Sequence, residues 1–175
     1  MSASIQIAYA TRSGSTAEVA ESIAATLREV GLWADLAAVG KVESLQGTTA
    51  LILGAPLYMG KFPRDFHWFL GHHRSALTHL HPFCFVLGPT RPESADFEEA
   101  RKQAEQEFAH YQWLHLAGLQ VFGGRWDVNL LPFPFSLARR LPFNPLAKVP
   151  GEDIRDWSAI HDWSLTIAAQ IKPAA

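Results

Sequence analysis

The chain has 175 residues, 48% of them hydrophobic and 18% charged, which suits one globular domain with a buried core and excludes a disordered or multidomain protein. With 15 Lys+Arg against 17 Asp+Glu the formal charge is −2, so no positive field is present to hold DNA or RNA. The single cysteine, Cys84, lies in the apolar run Phe83-Cys84-Phe85-Val86-Leu87, where it has no partner for an intramolecular disulfide or a multi-thiolate metal site; a reducing compartment fits best.

Met1 to Tyr9 lacks the basic and long apolar regions of a secretory signal and reads as the start of a mature, cytoplasmic chain. Ile5 to Ala10 is an apolar run expected to form the first strand, and Thr16 to Val30 places Ala20, Ile23, Ala24, Leu27 and Val30 on one helical face. Gly31 closes that helix. Trp33 to Val39 and Thr49 to Gly54 read as the second and third strands, the latter buried on both faces. The uncharged stretch from Ser44 to Gly60 is broken by Gly47, Gly54 and Pro56 and does not suit a bilayer span of about 20 apolar residues.

A helix is expected over Pro63 to Gly71, a fourth strand over Phe83 to Gly88 and a long amphipathic helix from Ala95 to about Leu114. A fifth strand over Leu119 to Phe122 and a last helix from about Asp153 to Ile171 complete the alternation. Five buried strands alternating with helices imply a parallel α/β sheet covered on both faces, in one domain spanning 1–175. Such sheets bind ligands at the carboxyl ends of their strands. Arg125 to Pro150, with five prolines and with Phe133, Phe135, Phe143 and Arg139-Arg140, breaks the alternation and reads as an irregular insertion.

The turn after the first strand is Thr11-Arg12-Ser13-Gly14-Ser15-Thr16. Hydroxyl side chains and backbone N–H groups at a helix N-terminus suit a phosphate monoester dianion. Ordinary capping of the helix by Ser13 or Ser15 is the competing reading, although capping needs one such residue rather than four. The dinucleotide fingerprint G-x-G-x-x-G is absent. Gly54…Gly60-Lys61-Phe62 has the wrong spacing and no Ser or Thr for a nucleotide P-loop. A phospho-receiver would need carboxylates where this chain has Thr11 and Ala55-Pro56.

The turn resembles the FMN phosphate loop of the flavodoxin family, T-x-T-G-x-T, standing here as Thr11-x-Ser13-Gly14-x-Thr16. With Leu53-Gly54-Ala55-Pro56-Leu57-Tyr58-Met59-Gly60-Lys61, Phe122-Gly123-Gly124-Arg125-Trp126-Asp127 and Asp156-Trp157, the chain looks most like the flavodoxin-domain branch that contains the menaquinone-dependent protoporphyrinogen oxidases. The resemblance implies a flavodoxin-like five-stranded sheet in the order 2-1-3-4-5 and an FMN cofactor. Thr11, Arg12, Ser13, Gly14, Ser15 and Thr16 would wrap its phosphate. Pro56, Leu57, Tyr58, Met59, Gly60 and Lys61 with Gly88, Pro89, Thr90 and Arg91 would flank the isoalloxazine, beside Gly124, Arg125 and Trp126. Because Gly88-Pro89-Thr90-Arg91-Pro92 lacks the aromatic that electron-carrier flavodoxins usually supply, Tyr58 or Trp126 would have to stack on the ring.

His67, His72, His73, His79 and His81 lack the i, i+4 pair beside a third ligand that a metal site requires, and read as a solvated helix end and loop. Glu93 to Glu107 reads as a solvated helix face with i, i+4 pairs. Three functions are carried forward. The resemblance implies an FMN oxidoreductase whose small-molecule redox partner is a quinone or a porphyrinogen. A soluble electron carrier is the second, disfavoured by near-neutral charge and by Lys61, Arg91 and Arg125 in the cofactor loops. A degenerate module that binds a partner without FMN is the third. No catalytic base is assigned, and 125–150 is expected to cover the protein's own core, to form a homodimer or to touch the inner face of a membrane peripherally.

Overall fold

A computed structural model describes residues 4–126 and 152–171. In chain order it contains β1 (Ile5–Tyr9), α1 (Ser15–Glu29), β2 (Ala34–Ala38), β3 (Ala50–Pro56), α2 (Arg64–His72), the short α3 (Arg74–Leu77), β4 (Phe83–Leu87), α4 (Ser94–Phe108), β5 (Gly118–Phe122), β6 (Arg125–Trp126), β7 (Glu152–Asp153) and α5 (Trp157–Ile171). The first five strands form one parallel sheet in the order β2-β1-β3-β4-β5.

The sheet is apolar on both faces because each strand alternates its apolar side chains between two covers. Ile5, Ile7, Ile52 and Phe85 meet Val19, Ile23 and Leu27 of α1 and Ile160 and Ile167 of α5. Ala8, Leu51, Leu53, Cys84 and Val86 meet Phe66, Phe69 and Leu70 of α2 and Ala104 and Phe108 of α4. Each fully buried Leu, Ile or Phe contributes roughly 1.5–3 kcal/mol against exposure. Burial also pushes the Cys84 thiol far above its ordinary value.

Helix ends follow local chemistry. α1 stops in a Schellman arrangement: Gly31 takes a φ of +80°, its N–H donates to the Arg28 carbonyl, and the Leu32 N–H donates to the Leu27 carbonyl at 2.9 Å. Two helix boundaries differ from the sequence expectation. α4 ends at Phe108 and is followed by turns in which the Tyr111 N–H donates to Phe108 and the Leu114 N–H to Tyr111. α5 begins at Trp157 rather than Asp153, because Asp153 is held in β7 opposite Arg125. The Asp156 carboxylate accepts the Ala159 N–H at 3.0 Å and so caps α5.

Within Arg125 to Pro150, Arg125 and Trp126 are ordered as β6 instead of irregular, pairing antiparallel with Glu152–Asp153. The rest of that stretch, and with it the expected dimer or membrane role, lies outside the described residues. Among the described residues no helix is long and apolar enough to cross a membrane.

One glycine in the sheet is dictated by packing. Gly54 of β3 faces Phe85 of β4, and a Cβ at Gly54 would lie 2.2 Å from the tip of the Phe85 ring. That ring is fully buried and has nowhere to retreat. Gly54→Ala is expected to lower stability by about 1–3 kcal/mol, the usual cost of overpacking, as read by a fall in the denaturant midpoint at unchanged slope.

Candidate functional site

The loops named from the sequence converge because the sheet ladder continues one residue past three strands. The Ala10 N–H donates to the Gly54 carbonyl at 2.8 Å, the Leu57 N–H to Leu87 at 2.9 Å and the Gly88 N–H to Phe122 at 3.1 Å. The turns after β1, β3, β4 and β5 therefore leave from one carboxyl edge. The Gly124 N–H donates to the Pro89 carbonyl at 2.7 Å, joining the last two of them directly.

The first turn is built around Gly14, whose φ of +87° lets the chain enter α1 abruptly. The Gly14 N–H donates to the Thr11 hydroxyl at 3.0 Å, and the Ser13 and Ser15 hydroxyls lie 3.4 Å apart. No side chain caps α1, so the capping reading of Ser13 and Ser15 does not describe this turn. Thr16 is completely buried, and its hydroxyl oxygen has no hydrogen-bond partner. A buried hydroxyl left without a partner costs about 1–3 kcal/mol, a cost that a bound polar group could remove.

The turn after β3 is a tight hairpin. Tyr58 and Lys61 exchange both backbone hydrogen bonds, at 2.9 and 3.0 Å. Met59 and Gly60 take φ values of +51° and +76°, the pattern of a type I′ turn. Such a backbone disfavours a non-glycine residue, yet Met59 sits there fully exposed. The Arg12 guanidinium lies 5.1 Å from the centre of the Tyr58 ring, so the first turn and this one touch. In the turn after β4, α4 packs so closely that a Cβ at Gly88 would stand 2.7 Å from that of Ala100. Pro89 and Thr90 are partly buried and Arg91 is exposed. The side chain of Trp126, and any stacking by it, lies outside the described residues.

Two of the three cations expected in these loops carry partners. Lys61, largely exposed, places its Nζ 2.8 Å from an oxygen of buried Glu107. The other Glu107 oxygen accepts the Phe62 N–H at 3.1 Å and lies 3.2 Å from His67 Nε2, while His67 Nδ1 meets the Tyr111 hydroxyl. Glu107 is therefore no part of a solvated helix face. Its position was legible in the spacing Ala100, Ala104, Glu107, Phe108, one stripe of α4, all four of which are buried. His67 is likewise no solvated histidine. His73 is buried with its Nε2 3.3 Å from the Val42 carbonyl, and burial, aided by His72, holds its pKa below the ordinary value. Among the described residues no group of three or more His, Cys, Asp or Glu is placed to hold a metal ion.

The second cation, Arg125, donates to both oxygens of Glu18 in the first turns of α1 at 3.1 and 3.2 Å. Glu18 also accepts from Arg155 at 2.7 Å. Arg155, Asp153 and Glu18 were not read from the sequence. They lie far apart along the chain, and no local pattern announces their meeting.

A family model of the flavodoxin domain matches residues 6–134, and the chain belongs to that family. It is 32% identical over 112 residues to the protoporphyrinogen IX dehydrogenase [quinone] of Escherichia coli (strain K12), and the match spans 61% of each chain. The same protein of Escherichia coli O157:H7 matches equally. Among solved structures, oxidised flavodoxin 2 from Bacillus cereus superposes with a TM-score of 0.60 at 20% identity, covering 96% of this chain and 99% of its own. Oxidised flavodoxin 1 from the same organism gives 0.56 at 18%, covering 97% of each chain. At those identities the structural likeness carries the fold alone.

The Glu107 cluster makes a pH-dependent contribution to stability. Burial alone would push the carboxyl up, but hydrogen bonds from Lys61 and Phe62 and the charges of Lys61 and His67 outweigh it and hold the group below its ordinary value. A folded value below the unfolded one stabilises fully above the unfolded pKa, and that stabilisation disappears as pH falls through the folded pKa. Thermal midpoints measured between about pH 5 and pH 2 are expected to fall less steeply in Glu107→Gln than in the native chain.

Proposed function

We propose that this chain binds FMN at the carboxyl edge of its sheet and works as an FMN-dependent oxidoreductase. The observation that carries the reading is the completely buried, partnerless Thr16 hydroxyl at the start of a helix with no side-chain cap. Thr11, Ser13, Ser15 and Thr16 supply the hydroxyls around the turn, with the backbone N–H groups and the positive end of the α1 dipole favouring a dianion. The donor set fits a phosphate monoester and nothing in it fits a metal.

Bound flavin supplies the electron and hydride chemistry, and the chain supplies binding, orientation and electrostatics. Tyr58, exposed on one side and covered by Arg12, is the described aromatic suited to pack on a flat ring. The Gly88 and Gly124 N–H groups are committed to Phe122 and Pro89, so backbone donors to the ring's polar edge would come from the turn after β3, around Gly60. Met59, projecting from a left-handed backbone at the tip of its turn, offers an apolar surface at the rim of the site to a hydrophobic partner.

The substrate we propose is a quinone or a porphyrinogen. Support comes from the activity for which the Escherichia coli relatives are named, a protoporphyrinogen dehydrogenase that uses quinone, over the length the two chains share. Electron carriage between proteins is less well supported, because it favours a strongly charged docking face and this chain is nearly neutral.

Titration of the flavin-free protein is expected to show tighter binding of FMN than of riboflavin. Thr16→Ala should weaken FMN by about 1–3 kcal/mol, the range for a hydrogen bond to a charged group, while riboflavin changes little. Equal affinity for the two flavins refutes the reading. The loaded protein should then oxidise a porphyrinogen with a quinone as acceptor, and failure with both partners would leave FMN binding standing without that substrate class.

A further inference from the structure

Arg155 is the most heavily committed charged side chain among the described residues. Its side chain is only 2% exposed. Nε and Nη2 donate to the two oxygens of Asp153 at 2.8 and 2.6 Å, a bidentate pairing that a lysine cannot reproduce. Nη1 donates to Glu18 at 2.7 Å and to the backbone carbonyl of Ser15 at 3.3 Å. The guanidinium lies 4.6 Å from the centre of the Trp157 ring. A buried guanidinium is costly to desolvate unless its donors are used, and here they are used on two elements at once, β7 and the first turn of α1.

The two partners on α1 belong to the site. Ser15 opens α1 and lies beside Thr16, and Glu18 is one turn further on, its side chain directed back toward the N-terminus of the helix. Arg155 itself stands in the chain that follows β7. Ile154 donates its N–H to the Gly124 carbonyl at 3.2 Å, and its own carbonyl lies so close to Gly123 that a Cβ there would stand 2.2 Å away. Gly124 in turn donates to Pro89. A continuous line of contacts thus runs from the turn after β4, through Gly124 and Ile154, to Arg155 and the first turn of α1.

We propose that Arg155 is a positioning residue for the phosphate turn. Through the Ser15 carbonyl and Glu18 it fixes the first turn of α1 relative to the turns after β4 and β5, so that the Thr16 hydroxyl and neighbouring N–H groups are set for a phosphate before one arrives. The assignment rests on the FMN reading given above. Glu18 and Asp153 offset the charge of Arg155, and Glu18 also engages Arg125, so Arg155 acts through geometry rather than as a free cation facing the dianion. Preorganisation of this kind favours the group it is built for and is indifferent to a ligand that lacks it.

The test is the ratio of riboflavin to FMN dissociation constants, measured by quenching of flavin fluorescence on the whole chain. General loosening of the fold weakens both flavins alike and leaves the ratio unmoved, whereas a displaced phosphate turn lowers it. Arg155→Met is expected to lower the ratio about tenfold, as loss of one charge-assisted hydrogen bond would. Arg155→Lys, which keeps the charge without the fork, should lower it by about threefold. If Arg155→Met does not fold, Arg155→Lys decides. A native preference for FMN that the folded variants keep overturns the assignment alone. Equal binding of both flavins by the native chain overturns the cofactor reading and this assignment with it.

Discussion

The position of β1 between β2 and β3 governs the rest of this molecule. Ile5 to Tyr9 pair in parallel with Ala34 to Ala38 on one side and with Ala50 to Gly54 on the other. Parallel neighbours cannot be joined by a hairpin, so β1–β2, β3–β4 and β4–β5 are joined through helices, β2 returns to β3 through a single 3-10 turn at Val39–Lys41, and every strand of the sheet points its carboxyl end the same way. The strand order reverses beside β1: the chain moves outward to β2 and then returns past it to β3, β4 and β5. The crevice opened by that reversal is where Thr11 to Thr16 must lie, and the other loops are brought to it by the register of their strands.

Much of this architecture was readable from apolar periodicity. β3 and β4 are runs of Leu, Ile, Val, Phe and Ala without a charge, and a strand buried on both faces has few other ways to look. α1 carried both its stripe and its closing glycine. Pairings between distant residues were not readable. β6 and β7 are two residues each and find one another across the stretch from 127 to 151, so neither has a pattern of its own. Asp153 read as a helix start because an acidic residue commonly opens a helix, and it is claimed instead by Arg125 opposite and Arg155 two residues on. Within the site, the hydroxyl-rich turn was evident and the burial of Glu107 was legible in its stripe of α4, while the cations that Glu107 and Glu18 would meet were not.

The charges around the crevice are arranged locally, with Lys61 and Arg125 each answered from a neighbouring helix. Glu107 reaches Lys61 from α4 and Glu18 reaches Arg125 from α1. Asp153 is held below its ordinary value first by its hydrogen bond to Arg155, with burial opposing. Such pairing keeps basic side chains beside the proposed anion site without building a strong long-range field, which agrees with a chain of net charge −2. It also makes the carboxylates structural, since removing either one exposes a cation to new partners.

The antiparallel ribbon of Arg125–Trp126 with Glu152–Asp153 has a consequence for how chains of this kind can diversify. The backbone departs and comes back at adjoining positions, immediately after β5 and immediately before α5. Closing a longer or shorter span between these points alters the loop entropy only slowly with length. The ribbon works as a socket. A change in the length joined there leaves the pairing of Arg125 with Asp153, and the contacts of Gly124 with Pro89 and Ile154 beside it, free to form as before.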